Sequence, residues 1–266
     1  PSNSAVLWIK NCQQVATYLY YDENIFDDLL DVISTKKNNK LELVWVFSKT
    51  PRLKELYKMW TPKAITDTYE PGSVFKIITA AVGLEENIVS PDTKDVFNCP
   101  GYHTVAGQTI NCWKGRPGHG SQSLREALCN SCNPAFMQLG EKIGAKTLYK
   151  YFEAFGLFSS TNLTSGDVSG NFWDLNDVGP VELATLSFGQ RFGITPLQMI
   201  TAVSCIANDG VLVQPKIIKN IINTDTGATT NINATEIRQV ISKETSEKLL
   251  NMMESVVTVG TGSYGK

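Results

Sequence analysis

The chain has 266 residues, a formal net charge of −2, and a composition that is 42% hydrophobic and 19% charged. That is enough for one large domain or two small ones with a real core. The near-neutral charge offers no basic face to nucleic acid or to an anionic membrane, and no apolar run nears the ~18 residues of a membrane span. The opening "PSNSAVLWIKNCQQ" lacks the basic-then-apolar form of a signal peptide, so an exported parent is expected to carry its targeting segment elsewhere.

Residues 1–60 carry weak signals. "SAVLWIKNCQQVATYLYYDE" reads as two strands joined near Asn11–Gln13, "ENIFDDLLDVIS" as a helix, "LELVWVFS" as a strand and "LKELYKMW" as an amphipathic helix. From Thr68 the signals sharpen. Pro71 suits a first helical position, and the apolar residues up to Glu86 cover nearly the whole circumference, which predicts a central, buried helix. Residues 96–113 predict a hairpin around "VAGQT". "SLREALCN" predicts a short helix capped by Ser123. "NPAFMQLGEKIG" predicts another, with Pro134 in its first turn and Gly144 at its end, and "AKTLYKYFEAFG" a third. Residues 159–180 are polar and Gly-rich and predict a long loop. "TPLQMITAVSCIANDG" has a threonine cap, an early proline and a terminal glycine, and predicts a helix. "VLVQPKIIKNIINTDTGATTNI" predicts strands with a turn at Asp225–Gly227, and "SKETSEKLLNMMESVV" the last helix. Buried helices with strands toward both sequence ends imply a mixed α/β or α+β domain.

Within the central helix, Lys76 stands among Val74, Phe75, Ile77, Ile78, Ala80, Ala81, Val82 and Leu84, three residues after Ser73. Positions i and i+3 share a helix face. Desolvation lowers a lysine pKa, and a neutral lysine beside a serine can take its proton, which makes Ser73 a candidate nucleophile without any histidine. Amides at the helix start would help hold an oxyanion. Serine–lysine spacing alone is a weak signal, since a first-turn serine and a snorkelling lysine give the same pattern.

A second element is "CNSCNPAF". Asn133 precedes Pro134, which disfavours the α region, so Ser131 and Asn133 are expected on a tight connection between two helices. A hydroxyl there can relay a proton and an amide can bind a carbonyl; helix capping is the plainer alternative.

S-x-x-K followed by S-x-N is the motif pair of penicillin-binding proteins and serine β-lactamases. The words "AITDTYEPGSVFKIITAAVGLEE", "GHGSQSLREALCNSCNPAFMQLGEKIG" and "LSFGQRFGITPLQMITAVSCIANDG" resemble class B penicillin-binding proteins, of the sporulation and division type found in clostridia. The resemblance covers roughly residues 57–262. It implies a single α+β transpeptidase domain over residues 1–266, with a helical cluster packed on an antiparallel sheet. It implies Ser73 as the acylated nucleophile, Lys76 as its base, Ser131 as proton shuttle and Asn133 as the group that binds the substrate amide. The implied reaction is D,D-transpeptidation of peptidoglycan stem peptides, with β-lactam antibiotics as covalent inhibitors. It also implies a parent anchored in the membrane, working at the extracytoplasmic face with a morphogenesis-complex partner. A β-lactam sensor, a serine β-lactamase using Glu182 for deacylation, and an inactive penicillin-binding module are the alternatives.

Two departures from the family pattern stand out. The third motif, K-T-G or K-S-G, is absent: "VTVGTGSYGK" ends the chain at Lys266 and resembles the segment that precedes it, so the domain is expected to be truncated at its C-terminus. The first 55 residues carry almost none of the family's usual "DPKTGEILAM"-like hairpin.

The six cysteines are too sparse for a disulfide scaffold. Cys99 and Cys112, however, bracket His103, and His119 follows; these are the chain's only histidines. Two cysteines and two histidines within 21 residues form a zinc-like inventory. A turn at Gly107–Gln108 would set His103 opposite Cys112. A Cys99–Cys112 disulfide, or free thiols, would use the same residues differently. The family resemblance favours a structural Zn2+ beside the nucleophile helix, with Asp67 as a rival to His103 for the fourth place.

Overall fold

The computed structural model describes residues 59–164 and 166–263, with Leu56 and a short N-terminal strand pair. The chain divides into two compact units, residues 1–62 and 63–266. In the first, β1 (Ser4–Ala5) pairs antiparallel with β2 (Leu19–Tyr20), Ser4 opposite Tyr20, a register centred on the expected turn near Asn11–Gln13. The helix and strand expected at "ENIFDDLLDVIS" and "LELVWVFS" lie outside the described residues, as does most of "LKELYKMW".

The second unit begins with the short helix α1 (Lys63–Thr66). A 3-10 turn, Gly72–Phe75, then leads into α2 (Lys76–Glu85). The expected single helix from Pro71 is thus split. Gly72 has φ +58°, and its N–H donates to the Gly189 carbonyl at 2.8 Å, so the chain enters the helix through a tight turn held from outside. In α2, every residue from Ile78 to Leu84 is buried, together with Lys76.

Two antiparallel ladders follow. β3 (Phe97–Cys99) pairs with β6 (Gly120–Gln122), and between them β4 (Tyr102–Val105) and β5 (Gln108–Asn111) form the hairpin. The hairpin loop is Ala106–Gly107, both at positive φ (+47° and +79°), the backbone that a two-residue type I′ turn requires. Helix α3 (Leu124–Cys129) starts at a capping box in which Ser123 and Glu126 satisfy each other's backbone N–H. Helices α4 (Asn133–Ile143) and α5 (Ala145–Ala154) meet at Gly144, φ +81°. After a largely irregular stretch come α6 (Pro180–Leu186) and α7 (Pro196–Ala207), the latter opened by a Thr195–Gln198 capping box. β7 (Val211–Val213) pairs with β10 (Glu236–Gln239), enclosing the hairpin of β8 (Asn220–Ile222) and β9 (Thr229–Asn231). Asn223 accepts the Asp225 and Thr226 N–H groups with its side chain, which sets the turn expected there. Helix α8 (Lys243–Thr258), capped by Ser242, closes the described chain.

The unit is α+β: a helical cluster flanked by two-stranded antiparallel ladders. Helix α2 packs against α4, α8, α7, α5 and α3. Its N-terminal turn rests on an aromatic group, Phe75 lying edge-on to Phe152 and Phe192 at 5.1 and 4.7 Å. Full burial of each such ring stabilises by roughly 1.5–3 kcal/mol, so the start of the central helix is among the firmest points of the fold. Among the described residues, no helix is long and apolar enough to cross a membrane.

Candidate active site and metal centre

Lys76 is 1% exposed, and its ammonium group is ringed by oxygen acceptors. Nζ donates to Ser73 Oγ at 3.1 Å, to the Ser131 carbonyl at 2.8 Å, to Ser131 Oγ at 3.0 Å and to Asn133 Oδ1 at 2.6 Å. An ammonium has three protons, so four acceptors exceed its capacity; a neutral amine can instead accept from either hydroxyl. Burial pulls the Lys76 pKa down to about 8, with the negative character of Cys132 and Cys112 opposing the shift. All four residues expected to carry the chemistry are therefore brought together around one nitrogen.

The S-x-N segment earns its position locally. Asn130 caps α3, Cys132 N–H donates to the Ala127 carbonyl at 3.0 Å, and Ser131 N–H donates to the Leu128 carbonyl at 3.0 Å. These two bonds make a Schellman motif, whose C′ residue must be left-handed and is usually glycine. Here it is Ser131, at φ +46°. A left-handed non-glycine residue costs about 1–2 kcal/mol, held in place because the hydroxyl reaches Lys76. Ser131→Gly is thus expected to relieve roughly 1 kcal/mol of strain and leave the melting temperature at or above the parent's, while acylation of Ser73 slows by about 10²-fold. A melting temperature several degrees lower would refute the strain. Asn133 differs from expectation: it is the first residue of α4, and the extended residue before the helix is Cys132, at φ −77° and ψ 106°.

The candidate metal ligands fall differently from the sequence pattern. Cys99, Cys112, His119 and Cys132 offer one ligand atom each, all within 4.8 Å of one another. His119 Nδ1 stands 3.7 Å from Cys99 Sγ and 3.5 Å from Cys112 Sγ. His103 is not among them: its Nε2 lies 3.0 Å from Glu141 Oε1. The hairpin explains this. Its loop falls one residue earlier than Gly107–Gln108, so His103 faces Ile110 across the ladder and Cys112 lies past its end. Asp67 is exposed and accepts from the Thr66 hydroxyl. The fourth place falls to Cys132, the middle residue of S-x-N. The sequence signal for it was present, a cysteine held between two site residues, but its meaning depends on the αL turn at Ser131.

Glycines let these loops mesh. A Cβ on Gly118 would overlap the Cys99–Gly101 backbone, and one on Gly101 would meet the Gly115 carbonyl at 2.6 Å. Cys112 N–H donates to the Gly101 carbonyl at 2.8 Å. Cys99 and Cys112 are free thiols.

The donor set suits a tetrahedral ion. Ligands about 2.0–2.3 Å from a centre stand about 3.3–3.8 Å apart, which brackets both His119 contacts. Burial, with Lys114 and Lys76 nearby, lowers the His119 pKa and keeps the imidazole neutral, as a ligand must be. Burial pushes Cys132 up to about 12 and raises Cys112. Burial also works against the Cys99 thiolate, but the His119 and Gly101 backbone N–H groups outweigh it and hold that pKa low. A protein interior with three thiols converging on one neutral imidazole is poorly satisfied without a cation. His119 Nε2 is buried and without a hydrogen-bond partner among the described residues, while Nδ1 faces the thiols.

Glu182 lies on α6 with its carboxylate 3.0 Å from Arg191 Nη1.

The family described as "Penicillin binding protein transpeptidase domain" matches residues 32–266. Stage V sporulation protein D of Bacillus subtilis is 44% identical over 200 residues, covering 74% of this chain and 31% of that protein. The D,D-transpeptidase domain of a peptidoglycan glycosyltransferase from Eggerthella lenta superposes with a TM-score of 0.71 at 25% identity, covering 91% of this chain and 57% of the other. Penicillin binding protein 3 of Mycobacterium tuberculosis, solved in complex with aztreonam, gives 0.66 at 28% identity, covering 77% and 45%. The chain thus spans about a third of the length of its curated relative. On its sequence, its fold and the matched family, the chain belongs to the penicillin binding protein transpeptidase domains.

Proposed function

We propose that the chain carries the acyl-transfer centre of a peptidoglycan D,D-transpeptidase, with Ser73 as nucleophile. The observation that carries this reading is the buried Lys76 Nζ within 3.1 Å of Ser73 Oγ, Ser131 Oγ and Asn133 Oδ1. Neutral Lys76 takes the Ser73 proton as Oγ attacks the carbonyl carbon of the penultimate D-alanine of a stem peptide. The proton passes through Ser131 to the departing D-alanine amine as the peptide bond breaks. The resulting ester is attacked by an amine of a neighbouring stem peptide, which forms the cross-link and returns the proton to Ser73. Asn133 accepts from Lys76 through Oδ1, so its Nδ2 is free to donate to a substrate carbonyl. β-Lactams would acylate the same oxygen, as the aztreonam complex of the related penicillin binding protein 3 suggests.

Cys99, Cys112, His119 and Cys132 would hold a structural Zn2+ that would clamp the S-x-N turn against the hairpin, supplying fixed geometry and no chemistry to the reaction. The parent would work at the extracytoplasmic face of the membrane, anchored and partnered in a sporulation or division complex, a setting supported by its likeness to stage V sporulation protein D.

Incubation with a fluorescent penicillin tests the reading. A stable covalent adduct mapped by mass spectrometry to Ser73, and absent from Ser73→Ala, is the expected result. A folded chain that takes no label, or takes it elsewhere, refutes it; rapid turnover of the label would indicate a β-lactamase.

A further inference from the structure

Upstream of Ser73, three backbone segments meet around an open hollow. Residues 68–70, 171–174 and 191–194 lie side by side. Tyr69 and Ile194 exchange both backbone hydrogen bonds at 3.0 and 3.1 Å, and Asn171 and Gly193 do so at 2.7 and 2.9 Å. The three segments line an open hollow of about 740 Å³, within the size range of small-molecule sites. Its floor is Phe172 stacked on Phe192, ring centroids 4.7 Å apart and planes 17° apart. Phe192 also touches Phe75, which belongs to the turn that carries Ser73.

Two aromatic side chains stand at the rim, Tyr69 at 42% and Trp173 at 46% exposure. Trp173 is fixed at both ends. Its indole N–H donates to the Arg191 carbonyl at 2.9 Å, and its own carbonyl accepts from the Tyr149 hydroxyl at 2.9 Å. With the indole N–H used, the ring offers a pre-oriented apolar face, and binding there orders nothing further. Hydrogen-bonding groups line the same hollow. Glu70 accepts from Arg191 N–H through Oε1, and Asp174 accepts from Asn176 through Oδ1. Glu70 Oε2 and Asp174 Oδ2 have no protein partner among the described residues. The Arg191 guanidinium is engaged by Glu182.

A fixed aromatic face in the same hollow as carboxylate oxygens is the chemistry that holds a pyranose ring: its C–H face lies on the indole and its hydroxyls donate to the carboxylates. A charged amine fits less well, because the carboxylates open to water and Arg191 shares the wall. We infer that the hollow binds N-acetylated sugar units of a peptidoglycan strand. The inference rests on the transpeptidase reading. Glu70 is three residues from Ser73, so their Cα atoms are at most about 11 Å apart. A glycan seated here would bring its own stem peptide within reach of the nucleophile.

The test is titration of the full chain with the N-acetylglucosamine tetramer, followed by calorimetry and by tryptophan fluorescence. Saturable binding is expected. Trp173→Ala should weaken it at least about tenfold and Trp173→Phe, which keeps a ring face, by less than about threefold. Should Trp173→Ala fail to fold, Asp174→Asn, which keeps the stacking platform, is expected to weaken binding several-fold. No saturable binding up to about 10 mM sugar, or equal binding by folded Trp173→Ala and Asp174→Asn, overturns the inference. So does displacement of the sugar by a lysine-bearing tetrapeptide at far lower concentration, which would assign the hollow to a peptide amine. Penicillin labelling of Ser73 in the same preparation reads the proposed function separately, so either idea can fail while the other stands.

Discussion

Lys76→Ala is expected to slow penicillin acylation of Ser73 by about 10³-fold, the scale of a lost general base in a positioned site. Lys76→Arg should fare no better: it restores a cation, but a guanidinium stays protonated and cannot take the serine proton. Stopped-flow acylation with a chromogenic cephalosporin measures both. The pH profile of the parent gives an independent reading. Lys76 must be neutral to act, and burial brings its pKa to about 8, so acylation should rise from pH 6 with a midpoint near 8. Stability carries the same signature. The unfolded lysine titrates near 10.5 and the folded one near 8, so between those values the unfolded chain binds more protons and stability climbs with pH. Lys76→Met should flatten that slope. An acylation rate unaffected by Lys76→Ala would remove the lysine from the mechanism.

Stripping metal is expected to have the second-largest effect, chiefly on stability. An ion present at 1,000 times its dissociation constant stabilises the native state by about 4 kcal/mol. For a unit of this size each kcal/mol moves the melting temperature by roughly 2–4 °C, so a chelator should lower it by about 8–16 °C. Stoichiometric zinc should be found by elemental analysis of the parent and lost in Cys132→Ser. His103→Ala should keep its zinc, which separates the cluster seen in the structure from the pattern suggested by spacing. If Cys132→Ser retains zinc and His103→Ala loses it, the assignment of the fourth ligand is wrong. Because Cys132 lies between Ser131 and Asn133, the chelated chain should also acylate more slowly.

What could be read from the sequence was local. The α3 and α7 boundaries were legible because Ser123 with Glu126, and Thr195 with Gln198, satisfy the orphaned N–H groups of a helix start within four residues. The four residues around Lys76 were legible because their spacing and their neighbours match a known family. The remainder depended on contacts between distant segments. The Gly72–Phe75 turn is 3-10 because Gly189 holds Gly72, and nothing near Ser73 announces that. The hairpin register turned on whether Ala106 would accept a left-handed backbone, and one residue of difference moved His103 away from the thiols. Cys132 joins the thiol–imidazole cluster because a strained serine turns the chain sharply before it. The hollow beside Trp173 joins segments about 20 and 100 residues apart, a distance at which periodicity carries no signal.

The Gly72–Gly189 contact has a consequence for how the protein is made. A Cβ at Gly189 would overlap the Gly72 carbonyl, and Phe75 is clasped by Phe192. The turn that presents Ser73 is therefore completed by residues translated more than a hundred positions later. A nascent chain that has displayed S-x-x-K, and even S-x-N, still lacks the wall that fixes Ser73. Such non-local closure is slow and comes late in folding. On the proposed reading, Ser73 would stay unassembled during synthesis and become reactive only once the chain has closed on itself.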